Sequence, residues 1–217
     1  MSSKLIRIML KLGTITFAAA LGLTACTSPI STNAQFIAHP PANKSTAAEL
    51  FKNPPRCAII LPVNGSLDFT TQHLIELVVL RHFQNRLARV VSPLTRNRLS
   101  RESAYNLNDP IELIRFSNVV NCDHGLLTTV HSSEVGYAFV LASRHLDLTL
   151  ELTRFSDQTT LWKARHSGER NAGGLPTGPI ALAVNARQAN LFLRDGDGLE
   201  ALIEDVVRKL SKTFPLG

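Results

Sequence analysis

The sequence predicts a single α/β domain in which helices pack on a mixed sheet, in a three-layer-like arrangement with the element order βαβαβββα and a further short helix after the second strand. Three observations carry this prediction. The apolar run 57–62 reads as a short buried strand and is followed by an amphipathic helix and a second strand. Residues 146–153 alternate apolar with polar side chains, which is typical of a half-buried antiparallel strand. The chain then closes with an apolar helical stripe that begins near Asp197.

Composition excludes several classes of protein. The chain has 217 residues, 44% hydrophobic residues and only 18% charged residues. This apolar content excludes a disordered chain, and the charge is low for a coiled coil or a nucleic-acid-binding tail. Three cysteines are too few for a disulfide scaffold. The length fits one ordinary domain with additional segments.

The first 25 residues predict a secretory signal peptide. Lys4, Arg7 and Lys11 form a basic start without any acidic residue, and residues 12–25 are uncharged. This uncharged stretch is shorter than the roughly 20 apolar residues of a spanning helix. Removing residues 1–25 lowers the net charge from +6 to +3, because three basic residues are lost. The high charge therefore gives no argument for a nucleic-acid partner.

The end of this segment, Leu23-Thr24-Ala25-Cys26, resembles the lipobox of bacterial lipoproteins. The resemblance implies cleavage before Cys26 and lipidation of that residue, so the membrane becomes a partner through several acyl chains. Thr27 stands where Asp would favour inner-membrane retention, which implies an outer-membrane anchor facing the periplasm. Residues 26–55 are rich in Ser, Thr, Asn, Ala and Pro and predict a flexible tether, so the folded domain covers residues 56–217.

Within the domain, each early element has its own signal. Residues 70–88 carry a helical apolar period, and residues 89–92 form a strand that Pro93 ends. A short helix follows at 94–103. Asp109 followed by Pro predicts the start of another helix, which runs to residue 121.

The later elements follow a period of two. Strands are predicted at residues 125–131, 146–153 and 159–166. Residues 171–179 are rich in Gly and Pro and predict a loop. Asp197, with Glu200 three residues later, predicts a capping box for the last helix.

Two stretches, RCAIILPVNGSLD at 56–68 and LDLTLELTRFSDQTTLWKARHSG at 146–168, resemble the corresponding parts of the CsgG, PelC and LpoB group of bacterial outer-membrane lipoproteins. The resemblance covers roughly residues 55–215. It implies a core similar to the N-terminal domain of TolB, with residues 168–197 as an insertion. No pore-forming hairpin is evident in the sequence.

No catalytic motif is present, so the sequence predicts a protein that is not an enzyme and has no cofactor or metal site. Ser66, Asp68 and His73 are better explained as turn and helix-start residues than as a triad. The run from Cys122 to His124 is better explained as a loop that enters a strand, because neighbouring side chains on a strand point to opposite faces.

Cys57 and Cys122 each lie at the start of a predicted strand. The first and third strands of such a fold are commonly parallel neighbours, which places both cysteines at one end of the sheet. In an oxidising periplasm the sequence therefore predicts a disulfide between them. The alternative is a pair of buried free thiols.

Two charged sets stand out in the sequence. Between residues 77 and 101 there are six arginines and no acidic residue, and an acidic set surrounds the last helix. The two sets could be solvated helix faces, or complementary edges of neighbouring subunits in a ring. A third interpretation has the arginines bind an anionic glycan or carboxylate surface. The residues are Arg81, Arg86, Arg89, Arg96, Arg98, Arg101, Asp195, Asp197, Glu200, Glu204 and Asp205.

Two functional hypotheses follow. The first is a non-enzymatic accessory or assembly factor of an envelope machine for secretion, surface organelles or exopolysaccharide export, which binds an envelope protein or its own copies. The second, implied by the resemblance to LpoB, is a regulatory lipoprotein that activates a peptidoglycan synthase.

Overall fold

The computed structural model describes residues 54–194 and 196–215. They form a mixed α/β fold of five strands and five helices, which confirms the predicted fold class. The strands are β1 Cys57–Ile60, β2 Arg89–Val91, β3 His124–Ala138, β4 Leu141–Arg154 and β5 Thr159–Gly173. The helices are α1 Phe69–Phe83, α2 Pro93–Glu102, α3 Pro110–Val119, α4 Pro179–Arg194 and α5 Gly196–Lys212. None of the helices in the described ranges is both long and apolar enough to cross a membrane.

The strands lie in the order β2-β1-β3-β4-β5. β1 is parallel to both β2 and β3, and β3, β4 and β5 form an antiparallel meander. The short strands that alternate with helices thus make the parallel part, and the strands with a period of two make the antiparallel part.

One face of the sheet packs against α1 and α5 and forms the larger core. The four alternating leucines of β4, from Leu146 to Leu152, are fully buried there. The rings of Phe83, Trp162 and Phe214 join α1, β5 and the C-terminal end, with centroids 5.2–5.9 Å apart. Burial of these apolar side chains is the main stabilising contribution to the fold.

The other face carries a smaller core beneath α2 and α3, in which Ile59 and Phe116 are fully buried. Towards β4 and β5 this face becomes polar. There Asp147 pairs with Arg165 and Glu151 pairs with Lys163 across the two strands. The hydrogen bond from Arg165 is the main cause of a lowered pKa at Asp147. The two faces therefore differ. One is covered and mostly apolar, with Thr128 and His166 buried among its leucines, and the other is only partly covered.

The predicted start of α3 is confirmed. Asp109 precedes the helix, and its Oδ1 accepts hydrogen bonds from the amides of Ile111 and Glu112 at 2.8 and 3.1 Å. The predicted capping box of the last helix is displaced, because α5 already begins at Gly196 and Asp197 lies in its first turn. An acidic residue in the first turn still favours the helix through its dipole.

Asp109→Ala should lower the free energy of unfolding by about 1 kcal/mol, because two amides at the start of α3 lose their acceptor. Asp109→Asn is the matched control, since asparagine caps a helix about as well as aspartate does. Urea unfolding followed by circular dichroism measures the effect. Equal losses in the two variants would show that the cap is not the source of the stability.

The structure corrects the sequence interpretation in two regions. The predicted strands ended at residues 131 and 166, but β3 continues to Ala138 and β5 to Gly173. The segment 168–197, interpreted as an insertion with a loop at 171–179, contains the helix α4. The three long strands have 14 or 15 residues, which exceeds the usual range of about 3–10. They therefore extend beyond the core.

Candidate functional site

Some of the predicted arginines contact predicted acidic residues of the same chain. Arg81 on α1 lies 3.1 Å from Glu204 and 3.9 Å from Glu200, both on α5. His82 lies 2.7 Å from Glu204. These contacts join the two helices that cover the larger core. The ring hypothesis assigned them to neighbouring subunits, but here they lie inside a single domain.

Arg96 requires a correction, because it cannot form part of an outer surface. Only 2% of the residue is exposed, and its guanidinium contacts both carboxylate oxygens of Glu76 at 3.1 Å. Its Nη1 also donates to the carbonyl oxygen of Ile60 at 2.6 Å. Burial lowers the pKa of Arg96, and the carboxylate of Glu76 opposes that shift. Arg96 therefore links α2, α1 and β1 within the domain.

The other predicted interface residues are scattered. Arg98 and Arg101 are exposed on α2, whereas Arg86 is half-buried. Arg89 donates to the carbonyl oxygen of Val120 at 2.5 Å. Asp205 pairs with Arg208 and Lys209 of its own helix. Asp197 is exposed, and Asp195 lies outside the described residues. The described members of the two sets therefore belong to several different elements of the fold.

Cys57 and Cys122 are joined by a disulfide, with a Cα–Cα distance of 5.4 Å. The bond connects the first residue of β1 to the loop before β3, and both cysteines belong to the smaller core. The parallel pairing of β1 with β3 brings them to the same end of the sheet. Cys26, the predicted lipidation site, lies outside the described residues, as do the signal segment and most of the tether.

A second surface lies where the three long strands extend beyond the core. We define the arm as residues 132–145 and 168–194, which comprise the outer halves of β3, β4 and β5 together with α4. The tip of the β3–β4 hairpin exposes Val135, Tyr137, Phe139 and Leu141. Phe139 adopts a φ of +38°, a left-handed conformation that is uncommon for a residue other than glycine. The hairpin thus presents apolar side chains at its very end.

The helix α4 adds a second apolar element. Ile180, Val184 and Leu191 are 80%, 48% and 56% exposed. With 3.6 residues per turn, these positions and Arg187 lie within about 60° of one another around the helix axis. The opposite side of α4 faces the sheet and includes the fully buried Ala189. The helix is therefore apolar on both sides, although only one side is covered within the described ranges.

Polar contacts fix α4 on the strands. Arg144 of β4 donates to the carbonyl oxygens of Phe192 and Leu193 at 3.3 and 2.8 Å, close to the C-terminal end of the helix. A guanidinium there also interacts favourably with the helix dipole. The Cζ atom of Arg144 lies 5.5 Å from the centroid of the Phe192 ring. In the first half of α4, Asn185 donates to the carbonyl oxygen of Gly174 at 2.9 Å. The outward stripe is thus held in a defined position.

The arm combines exposed apolar and aromatic side chains with arginines at positions 144, 170, 187 and 194. Exposed apolar surface of this kind marks sites of association with another molecule. Tyr, Phe and Arg are enriched in the centres of protein–protein interfaces, whereas Glu and Asp are depleted. The sequence does not predict the arm, because the predicted strands end at residues 131 and 166 and residues 168–197 are interpreted as an insertion. The recurrence of Ile180, Val184 and Leu191 on one helical face is the signal that could have revealed it.

No protein-family model matches the chain, and no curated protein sequence matches it either. Solved structures are similar at low identity. The PelC dodecamer from Paraburkholderia phytofirmans shares 13% identity over 71% of this chain and 86% of that chain, with a TM-score of 0.40. Lipoprotein GNA1162 from Neisseria meningitidis shares 13% identity over 65% and 100%, with a TM-score of 0.43.

The C-terminal domain of LpoB from Salmonella enterica shares 15% identity over 59% of this chain and 93% of that chain, with a TM-score of 0.36. A minor lipoprotein from Acinetobacter baumannii shares 8% identity over 73% and 90%, with a TM-score of 0.37. At such identities and TM-scores, none of these structures assigns the chain to a family.

Proposed function

We propose that this chain is a non-enzymatic, lipid-anchored accessory protein of the bacterial envelope that binds a protein partner through the arm. The signal segment and the Leu23-Thr24-Ala25-Cys26 motif support export and anchoring at Cys26. Thr27 supports the outer membrane as the site of anchoring. A tether of about 30 residues has a root-mean-square span of about 30 Å, so the domain could reach partners in the periplasm.

The single observation that carries the binding role is the outward stripe of α4 next to the apolar tip of the hairpin. Three large apolar side chains on one face of a fixed helix are costly to leave in water, at about 25 cal/mol per Å² of apolar surface. A partner that covers them recovers this free energy. The partner is an envelope assembly protein of a secretion, surface-organelle or exopolysaccharide machine, or further copies of the chain in a ring.

The test uses the mature chain with Val184→Glu and Leu191→Glu together. Both side chains are exposed, so the fold should persist while binding through the stripe is lost. Leu94→Glu is the matched control, because Leu94 is 79% exposed on α2, away from the arm. In-cell crosslinking should capture the same envelope partner, or the same oligomer, with the wild type and the control. The crosslinking yield of the double variant should be lower than that of the wild type by at least about tenfold.

Membrane fractionation of the same cells should place the wild type with the outer membrane. Mass photometry of the delipidated chain separates self-association from binding to another protein. A crosslinking pattern that survives both α4 substitutions would contradict the proposed role of the arm.

A further inference from the structure

A cleft lies beside the first half of α3, on the face of the sheet opposite the larger core. Its volume is about 310 Å³, near the lower end of the range for small-molecule sites. One wall is formed by Leu113 and Ile114 of α3, and Leu127 of β3 contributes to the floor. Phe155, just after β4, is another apolar lining residue. The cleft is distinct from the arm and uses none of its residues.

One acidic group lies among these apolar walls. Glu151 of β4 lines the cleft, and only 21% of its side chain is exposed. Its Oε1 accepts a hydrogen bond from the hydroxyl of Thr160, and its Oε2 lies 2.9 Å from Nζ of Lys163. Both partners belong to β5, so the carboxylate is held in place before any ligand arrives. Each carboxylate oxygen has a second lone pair and can accept one more hydrogen bond.

We propose that this cleft binds a small amine with an apolar body, such as an arylalkylamine. The apolar group packs against Leu113, Ile114 and Leu127, and the ammonium donates to Glu151. Lys163 does not line the cleft, so the ammonium groups of the ligand and of Lys163 contact the carboxylate from different sides, and Glu151 bridges the two cations. A ligand with its own carboxylate would place a second negative charge against Glu151, in a partly desolvated cleft where such repulsion is strong.

The strand β4 offers a matched control for the charge. Asp147 lies four residues before Glu151 on the same face of β4, and it also pairs with a cation of β5, Arg165. It does not line the cleft. Asp147→Asn and Glu151→Gln therefore remove the same kind of charge from the same strand, and only the second variant changes the cleft.

The experiment is a titration of the ¹⁵N-labelled mature chain with phenethylamine, followed by amide chemical shifts. We expect saturable shifts at the amides of residues 113–114, 127 and 151, and binding of phenylacetate at least about tenfold weaker. Glu151→Gln should weaken phenethylamine binding by about tenfold, since a hydrogen bond to a charged group is lost. Asp147→Asn should bind as the wild type does. The affinity for benzyl alcohol, which carries no charge, should hardly change with either substitution.

A blocking variant tests the location. Thr153→Tyr places a large side chain on the strand floor of the cleft at a half-buried position, and it should abolish binding of all three compounds. The spectrum outside the cleft reports whether each variant is folded. If Thr153→Tyr is not folded, Asn108→Trp replaces it, because Asn108 is an exposed lining residue that does not contact Glu151. Equal affinities for amine and carboxylate, or phenethylamine binding that persists in the blocked variant, would overturn the proposal.

Discussion

Arg96→Met should lower the free energy of unfolding of the delipidated chain by about 3–5 kcal/mol. Methionine fills much of the arginine volume but leaves the carboxylate of Glu76 without its partner, although that residue is only 6% exposed. A buried charge that loses its partner carries most of the desolvation cost alone. The carbonyl oxygen of Ile60 also loses its donor. Guanidinium unfolding monitored by the fluorescence of the single tryptophan measures the loss.

The matched control is Arg96→Met combined with Glu76→Leu. Replacing both partners removes the isolated charge, so the double variant should recover most of the stability lost in the single one. This recovery separates an uncompensated charge from a general packing defect. If the double variant is as unstable as Arg96→Met, or less stable, then the unpaired carboxylate of Glu76 does not cause the loss.

The second large effect concerns the disulfide. Cys57→Ala with Cys122→Ala should lower the free energy of unfolding by about 4 kcal/mol in the chain-entropy model. The size follows from the separation of 65 residues between the two cysteines, because a crosslink over a longer loop restricts the unfolded chain more. Since a domain of this size is stable by about 5–15 kcal/mol, the loss is a large fraction of the total.

Reduction supplies the control for this prediction. Dithiothreitol should destabilise the wild type by a similar amount and leave the double alanine variant unchanged. Mass spectrometry of the mature protein under non-reducing conditions should find Cys57 and Cys122 protected from alkylation. Alkylation of both thiols would contradict a stabilising disulfide. A wild-type unfolding curve that does not change when dithiothreitol is added would contradict it as well.

The mixed sheet could be predicted because each of its core elements has a local pattern. The run 57–62 is apolar on both faces, and the leucines of 146–152 alternate along their strand, as burial on one side requires. The sequence also indicated the end of α3 that Asp109 caps. These signals depend only on residues that are near one another in the chain.

The long hairpin could not be predicted in the same way. Hairpin turns are usually recognised by Asn, Gly or Asp, but Phe139 and Val140 connect β3 to β4. Gly and Pro before α4 indicated a loop, although Pro179 is in fact the first residue of that helix. At the tip, the pairing of β3 with β4 sets the turn. At α4, proline suits the first position of a helix as well as it suits a loop.

Arg96 could have been separated from its neighbours by the period of the helix. Leu94, Arg98 and Arg101 recur on one side of α2, and Arg96 lies about 180° away from them. Charge alone places Arg96 in one set with Arg98 and Arg101, whereas the helical period separates it from them. The partner of Arg96 could not be inferred from the sequence, because Glu76 lies 20 residues earlier on another helix.

The position of the disulfide has a mechanical consequence. If the chain is held on its N-terminal side, tension reaches the sheet first at β1, whose first residue is Cys57. β1 has only four residues, so its hydrogen bonds would be the first to separate under load. The bond to Cys122 transfers the force directly to the backbone that leads into β3, the central strand of the sheet. A domain pulled from this side therefore keeps β1 attached to β3.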